Sequence, residues 1–156
     1  MKQPTEKIVN NEEWIFNGAI KYEILVQYNG QTVKPADYYP VWINNLADDV
    51  TLEGSLLNGF VQGPESVRSI VFCIRKIYDR QEFTFAGPFN EHIFLENYTG
   101  WFRGTSVGCL VMLSHNAAGQ VQHIAVSYRP FRALQLLSRL VGEQLADTSV
   151  GEHLAT

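Results

Sequence analysis

The chain reads as an α+β fold, with helices packed on one face of an antiparallel sheet. Three features of its order carry that reading. A helical apolar stripe lies at 64–78, four strand signals joined by turn residues follow it, and a last helical stripe begins after Pro130. The 156 residues suit one domain with a single core. We read 1–10 as a flexible N-terminus, 11–146 as the domain and 147–156 as a frayed tail.

Each element has a local reason. Asn10 and Asn11 precede Glu12 and Glu13, which suits a helix start, and Ile15, Ala19, Tyr22 and Val26 continue at helical spacing. Ile20, Tyr22, Ile24, Val26 and Tyr28 also alternate before Asn29-Gly30, so a hairpin competes over 11–28. A short helix is expected over 37–47, carrying Tyr38, Tyr39, Trp42 and Leu46. Residues 50–54 form a short strand that 59–62 can pair with. Pro64 and Glu65 open the next helix, whose stripe is Val67, Ile70, Val71, Ile74 and Ile77. Strands follow at 83–86, 92–102, 107–115 and 120–128, punctuated by Gly87-Pro88, Arg103-Gly104 and 116–119. Phe131, Leu134, Leu137, Leu140 and Val141 mark a final helix to about Leu145.

Composition narrows the function. Hydrophobic residues make up 46% of the chain, an ordinary globular value. The net charge is −4, and no basic patch is visible, so nucleic acid is not an expected partner. No apolar run approaches the ~20 residues of a membrane span, and the N-terminus lacks the apolar core of a signal peptide. Cys73 and Cys109 form no CxxC and are too few for a disulfide framework. They read as buried thiols in a reducing compartment, with the cytoplasm expected.

Alternation along the late strands defines two faces. One carries His92, Phe94, Glu96, Tyr98, Cys109, Val111, Leu113, His115, Ile124, Val126 and Tyr128, and is apolar in its middle. It is expected to face the helices across a pocket. The other carries Leu95, Trp101, Leu110, Met112 and His123, too many large apolar groups for a solvent face. A homodimer through that outer face is expected.

The stretches LADDVTLEG, GPESVRSIV and HNAAGQVQHIAVSYRPFRAL, in this order, resemble the nuclear-transport-factor-2-like superfamily. That group includes SnoaL-like polyketide cyclases, ketosteroid isomerases and many uncharacterised bacterial proteins. The resemblance spans about 37–145. It implies a conical roll of the cystatin-like or SnoaL-like type, a curved antiparallel sheet wrapped around helices, and it favours a helix over 11–28. Ketosteroid isomerases keep a proton-transfer aspartate after the DD…T.E strand, which falls here on Gly54. Their oxyanion-hole aspartate, counted back from Asn116 and Gly119, falls on Val111. Neither carboxyl is present, so that mechanism is not expected. The family's tyrosine on the first helix corresponds loosely to Tyr22, with spacing off by one.

Glu96 is the one carboxylate in the middle of the late strands, on the inward face, with Tyr98 two residues on. Burial raises a carboxylate pKa toward that of a useful base, and a phenol can stabilise an enolate. The plainer reading puts Glu96 at the sheet rim, paired with a lysine or arginine. Tyr22, Tyr39 and Trp42, with Val111, Ile124 and Val126, are expected to line the pocket, although aromatics at helical spacing also serve as plain core. His92 and His115 lack a third ligand for a metal. No cofactor motif occurs. Two functions follow: a cofactor-independent isomerase, lyase or cyclase acting on a small hydrophobic molecule, or a non-catalytic ligand-binding or dimeric interaction module.

Overall fold

The computed structural model describes residues 40–154. The helix-or-hairpin question at 11–28, and the pocket roles of Tyr22 and Tyr39, therefore lie outside the described residues. A 3-10 turn at Val41–Asn44 leads into β1 (Leu46–Gly54), which turns back as β2 (Phe60–Gln62). Helix α1 (Pro64–Ile77) follows, then β3 (Arg80–Pro88), β4 (Ile93–Phe102), β5 (Thr105–His115) and β6 (Val121–Arg129). Helix α2 (Phe131–Leu145) and a 3-10 turn at Gly151–His153 close the described chain.

The six strands form one curved, open sheet in the order β2-β1-β6-β5-β4-β3. All its pairings are antiparallel except β1 with β6, so the sheet is mixed rather than wholly antiparallel. The parallel pair arises because the chain leaves β1 and β2, runs through α1 and three strands, and returns beside β1 from the same end. Helices α1 and α2 pack on each other, α1 against β1 and α2 against β5 and β6. The stripe Val67, Ile70 and Ile74 of α1 is buried, as is Ala133, Leu137, Leu140 and Val141 of α2. Both meet the inward side chains of the sheet, among them Phe94, Leu113 and Ile124, in one hydrophobic core. Proline at the first position of α1 suits the helix start, because its missing N–H has no partner there to lose.

Two segments depart from expectation. The helix expected over 37–47 is, among the described residues, only a 3-10 turn, and Leu46 already belongs to β1. Pairing with β6 overrides local propensity there: Asp49 Oδ1 accepts a hydrogen bond from Gln122 Nε2 at 2.9 Å, which uses the acids as strand residues. The C-terminal segment, expected to fray, folds back. Val150 and Leu154 are buried, and Leu154 bridges to Leu57.

Candidate functional site

The register of the late strands builds the site. Glu96 lies opposite Val111, which lies opposite Val126; Tyr98 lies opposite Cys109, which lies opposite Tyr128. Side chains in register across a sheet share a face, so the alternation read from sequence brings these six groups together. Glu96 is 3% exposed and sits in the middle of β4, away from the rim.

Between α1 and the sheet lies a small cavity of about 70 Å³. Of the residues expected to line it, Trp42, Glu96, Tyr98, Val111, Ile124 and Val126 all do. Gly54 lines it too, so both positions where the family resemblance led us to look for a carboxyl are in the wall. Gly54 leaves no room for a side chain. A Cβ there would press into the Val126 carbonyl oxygen of the parallel neighbour and lie 3.2 Å from the Val126 Cβ.

Arg75, Gln81 and Tyr128 also line the wall, and none of them was named as a pocket residue from sequence. Each had a periodic signal. Arg75 is four residues after Val71 on the α1 stripe, Gln81 alternates with Phe83, and Tyr128 belongs to the inward set. Arg75 and Gln81 are both 8% exposed.

Tyr98 and Tyr128 of the wall belong to a cluster of hydroxyls with a thiol, completed behind it by Tyr78 and Cys109. Tyr78 Oη and Tyr98 Oη are 3.1 Å apart, with their rings edge-to-face at 5.8 Å between centroids. Gly100 makes space for the Tyr78 ring, since a Cβ there would come within 2.7 Å of it. Burial pushes the hydroxyls of Tyr78, Tyr98 and Tyr128 well above the usual phenol range. It pushes the Cys109 thiol up to about 12, against a lowering by its hydrogen bond with Tyr98 and a further push from the nearby Glu96 charge. All four groups therefore stay protonated at neutral pH and present O–H or S–H donors.

The remaining candidates fall elsewhere. His92 and His115 meet at the sheet end, where His115 N–H donates to the His92 carbonyl at 2.8 Å. His123 is on the outer face, bonded to Thr51 Oγ1 at 2.6 Å and 3.6 Å from the Glu53 carboxylate. Arg129 also lies on the outer face, where it donates to Asn97 Oδ1 at 2.8 Å. Among the described residues no group of three acidic, histidine or cysteine side chains is placed to hold a metal. A wider open groove of about 980 Å³ runs along α2 beside Phe131, Ser138 and Arg139, away from all of these candidates.

Comparison with known proteins agrees at the level of fold. No family model and no curated protein matches the sequence. Solved structures do. A steroid delta-isomerase from Pseudomonas aeruginosa matches with a TM-score of 0.62 at 15% identity, over 67% of this chain and 77% of that one. An uncharacterised Silicibacter pomeroyi protein with a cystatin-like fold matches with 0.67 at 13% identity, over 86% and 92%. A de novo designed protein with a curved β-sheet matches with 0.53 at 18% identity, over 86% and 97%. The chain thus has the cystatin-like fold. A shared fold does not by itself define an activity.

Proposed function

We propose that the cavity between α1 and the sheet binds a small, mostly apolar compound with an acidic C–H, and that the protein is a cofactor-independent isomerase, lyase or cyclase. Glu96 removes the proton. Tyr98 donates a hydrogen bond to the enolate oxygen that develops. Proton return at another carbon gives isomerisation, and loss of a leaving group gives elimination.

The observation that supports this most is the position of Glu96. A carboxylate 3% exposed, on the wall of a cavity, is placed where a ligand held there would meet it. The apolar wall of Val111, Ile124 and Val126 favours a hydrophobic ligand body, and Trp42 covers it from the 3-10 turn. The test is deuterium incorporation from solvent into cyclopentanone, compared between the native chain and Glu96→Gln.

A second reading has its own observation. Leu110 and Met112 are 43% and 37% exposed on the outer sheet face, with Leu95 in register opposite Met112. This supports a dimer of two copies through that face, whether or not the cavity is catalytic. Two free, buried cysteines suit a reducing compartment such as the cytoplasm.

A further inference from the structure

Two polar atoms of the cavity wall are left over by the fold. Trp42 Nε1 and Gln81 Oε1 are buried and have no hydrogen-bond partner among the described residues. Both side chains line the cavity between α1 and the sheet, and they are only 6% and 8% exposed. The local structure accounts for each. Trp42 lies in the 3-10 turn before β1, where its carbonyl accepts from Asn45 N–H at 3.0 Å while its indole N–H stays unmatched. Gln81 is buried on β3 opposite Gly100, which has no side chain to answer it. The space beside Gly100 is taken by the Tyr78 ring, whose hydroxyl is engaged with Tyr98. An unmatched buried polar atom disfavours folding, and an apolar side chain in either place would avoid that.

We infer that Trp42 and Gln81 hold the two polar ends of the cavity's ligand, and that this ligand is a small neutral hydroxy ketone. Its carbonyl oxygen accepts from Trp42 Nε1–H, and its hydroxyl pairs with the Gln81 amide. This narrows the substrate class proposed above. It rests on the cavity being a ligand site, not on proton transfer by Glu96. An indole N–H only donates, so its partner must bring an acceptor oxygen. A hydroxyl both donates and accepts, so it satisfies Gln81 whichever way the amide is turned. Both unmatched groups are uncharged, which suits an uncharged ligand. Trp42 precedes β1 and Gln81 is on β3, and β6, β5 and β4 lie between those strands in the sheet. The two groups therefore reach the cavity from different sides, and the ligand's polar groups belong at separate ends of an apolar middle. Val111, Ile124 and Val126 line the wall that such a middle would meet. A cavity of about 150 Å³ holds a benzene ring, so about 70 Å³ suits a slender chain of a few carbons and excludes a polycyclic body.

The experiment uses the full chain and two probes of equal size, 4-hydroxybutan-2-one and pentan-2-one, titrated by NMR. They differ only by a hydroxyl in place of a methyl group. The native protein is expected to bind the hydroxy ketone at least about tenfold more tightly. Gln81→Met keeps the side-chain length and removes the amide, and is expected to bring the two affinities within about twofold. Trp42→Phe keeps a ring and removes the donor, and is expected to weaken both ketones by about fivefold while the hydroxyl preference stays. Without ligand, Gln81→Met is expected to melt no lower than the native chain, because an unmatched atom has no bond to lose. Equal affinities in the native chain overturn the inference. So does no binding of either probe at about 10 mM, which leaves both atoms to water. A full preference in Gln81→Met, unchanged affinities in Trp42→Phe, or a melting temperature for Gln81→Met more than about 5 °C below the native value also overturns it. The proton-transfer reading fails separately. A hydroxyl preference with no deuterium exchange into cyclopentanone removes the proposed reaction and leaves the two anchors, whereas exchange with no hydroxyl preference does the reverse.

Discussion

Gly54 decides what this scaffold cannot do here. Its Cα lies so close to the Val126 backbone that even a methyl group would force β1 away from β6. The missing aspartate is therefore not a side chain that substitution can restore. Gly54→Asp is expected to lower stability by about 1–3 kcal/mol through overpacking, with no gain of isomerase activity. A urea melt and a steroid-isomerisation assay check both. At Cys109 the sign of a pH effect can be worked out. Its thiol pKa is about 12 in the fold against an ordinary 9.0, so the folded state holds the proton more tightly. The stabilisation is complete below pH 9 and is lost as the pH rises toward 12. At about pH 10.5 the loss amounts to about 2 kcal/mol. Between pH 8 and that pH, Cys109→Ala is expected to lose less stability than the native chain by this amount. Equal losses in the two proteins would contradict it. The cavity-lining residues legible in sequence were those on regular strands, Glu96, Tyr98, Val111, Ile124 and Val126, because period-two alternation places them without knowledge of the partner strand. Arg75 was harder to see, since one basic residue beside another reads as a solvated face.

At the scale of elements, regularity again separates what could be read from what could not. Strands β4 and β5 alternate cleanly in burial, and both were recognisable nearly end to end. Strand β1 does not alternate. Its register against β6 shifts between Leu46 and Thr51, which leaves Asp48 and Asp49 both exposed and disguises the strand start as a helix end. Strand β3 has a similar shift between Phe83 and Phe85, and only its middle, 83–86, carried a signal. The C-terminal segment has no period at all, yet it covers the β1–β2 connection, with Asn58 N–H donating to the His153 carbonyl at 2.8 Å. Leu154 is 5% exposed there. Leu154→Ala is expected to cost about 2–3 kcal/mol. A change below about 0.5 kcal/mol in a urea melt would mean the segment contributes as little as a frayed tail.

At the scale of the molecule, strand neighbours were only partly legible. Tight turns identify β4–β5 and β5–β6 as partners, but nothing local tells β1 that it will lie parallel to β6. The fold that results leaves one sheet face covered by helices and the other carrying Leu110 and Met112. If two copies cover that face, Leu110→Glu is expected to convert a dimer to a monomer in sedimentation equilibrium. A native chain that is monomeric at about 100 μM would remove the interface, since stable dimers bind well below that. The covered face holds the central claim, that a carboxylate buried in a small cavity moves a proton. Deuterium incorporation from solvent into cyclopentanone tests it most directly, read by NMR for the native chain, for Glu96→Gln and for the exposed control Glu143→Gln. The account predicts exchange above the buffer rate in the native and control proteins, and a fall of about 10²–10⁴-fold in Glu96→Gln. Exchange at the buffer rate in the native protein, or an equal rate in Glu96→Gln, would contradict it.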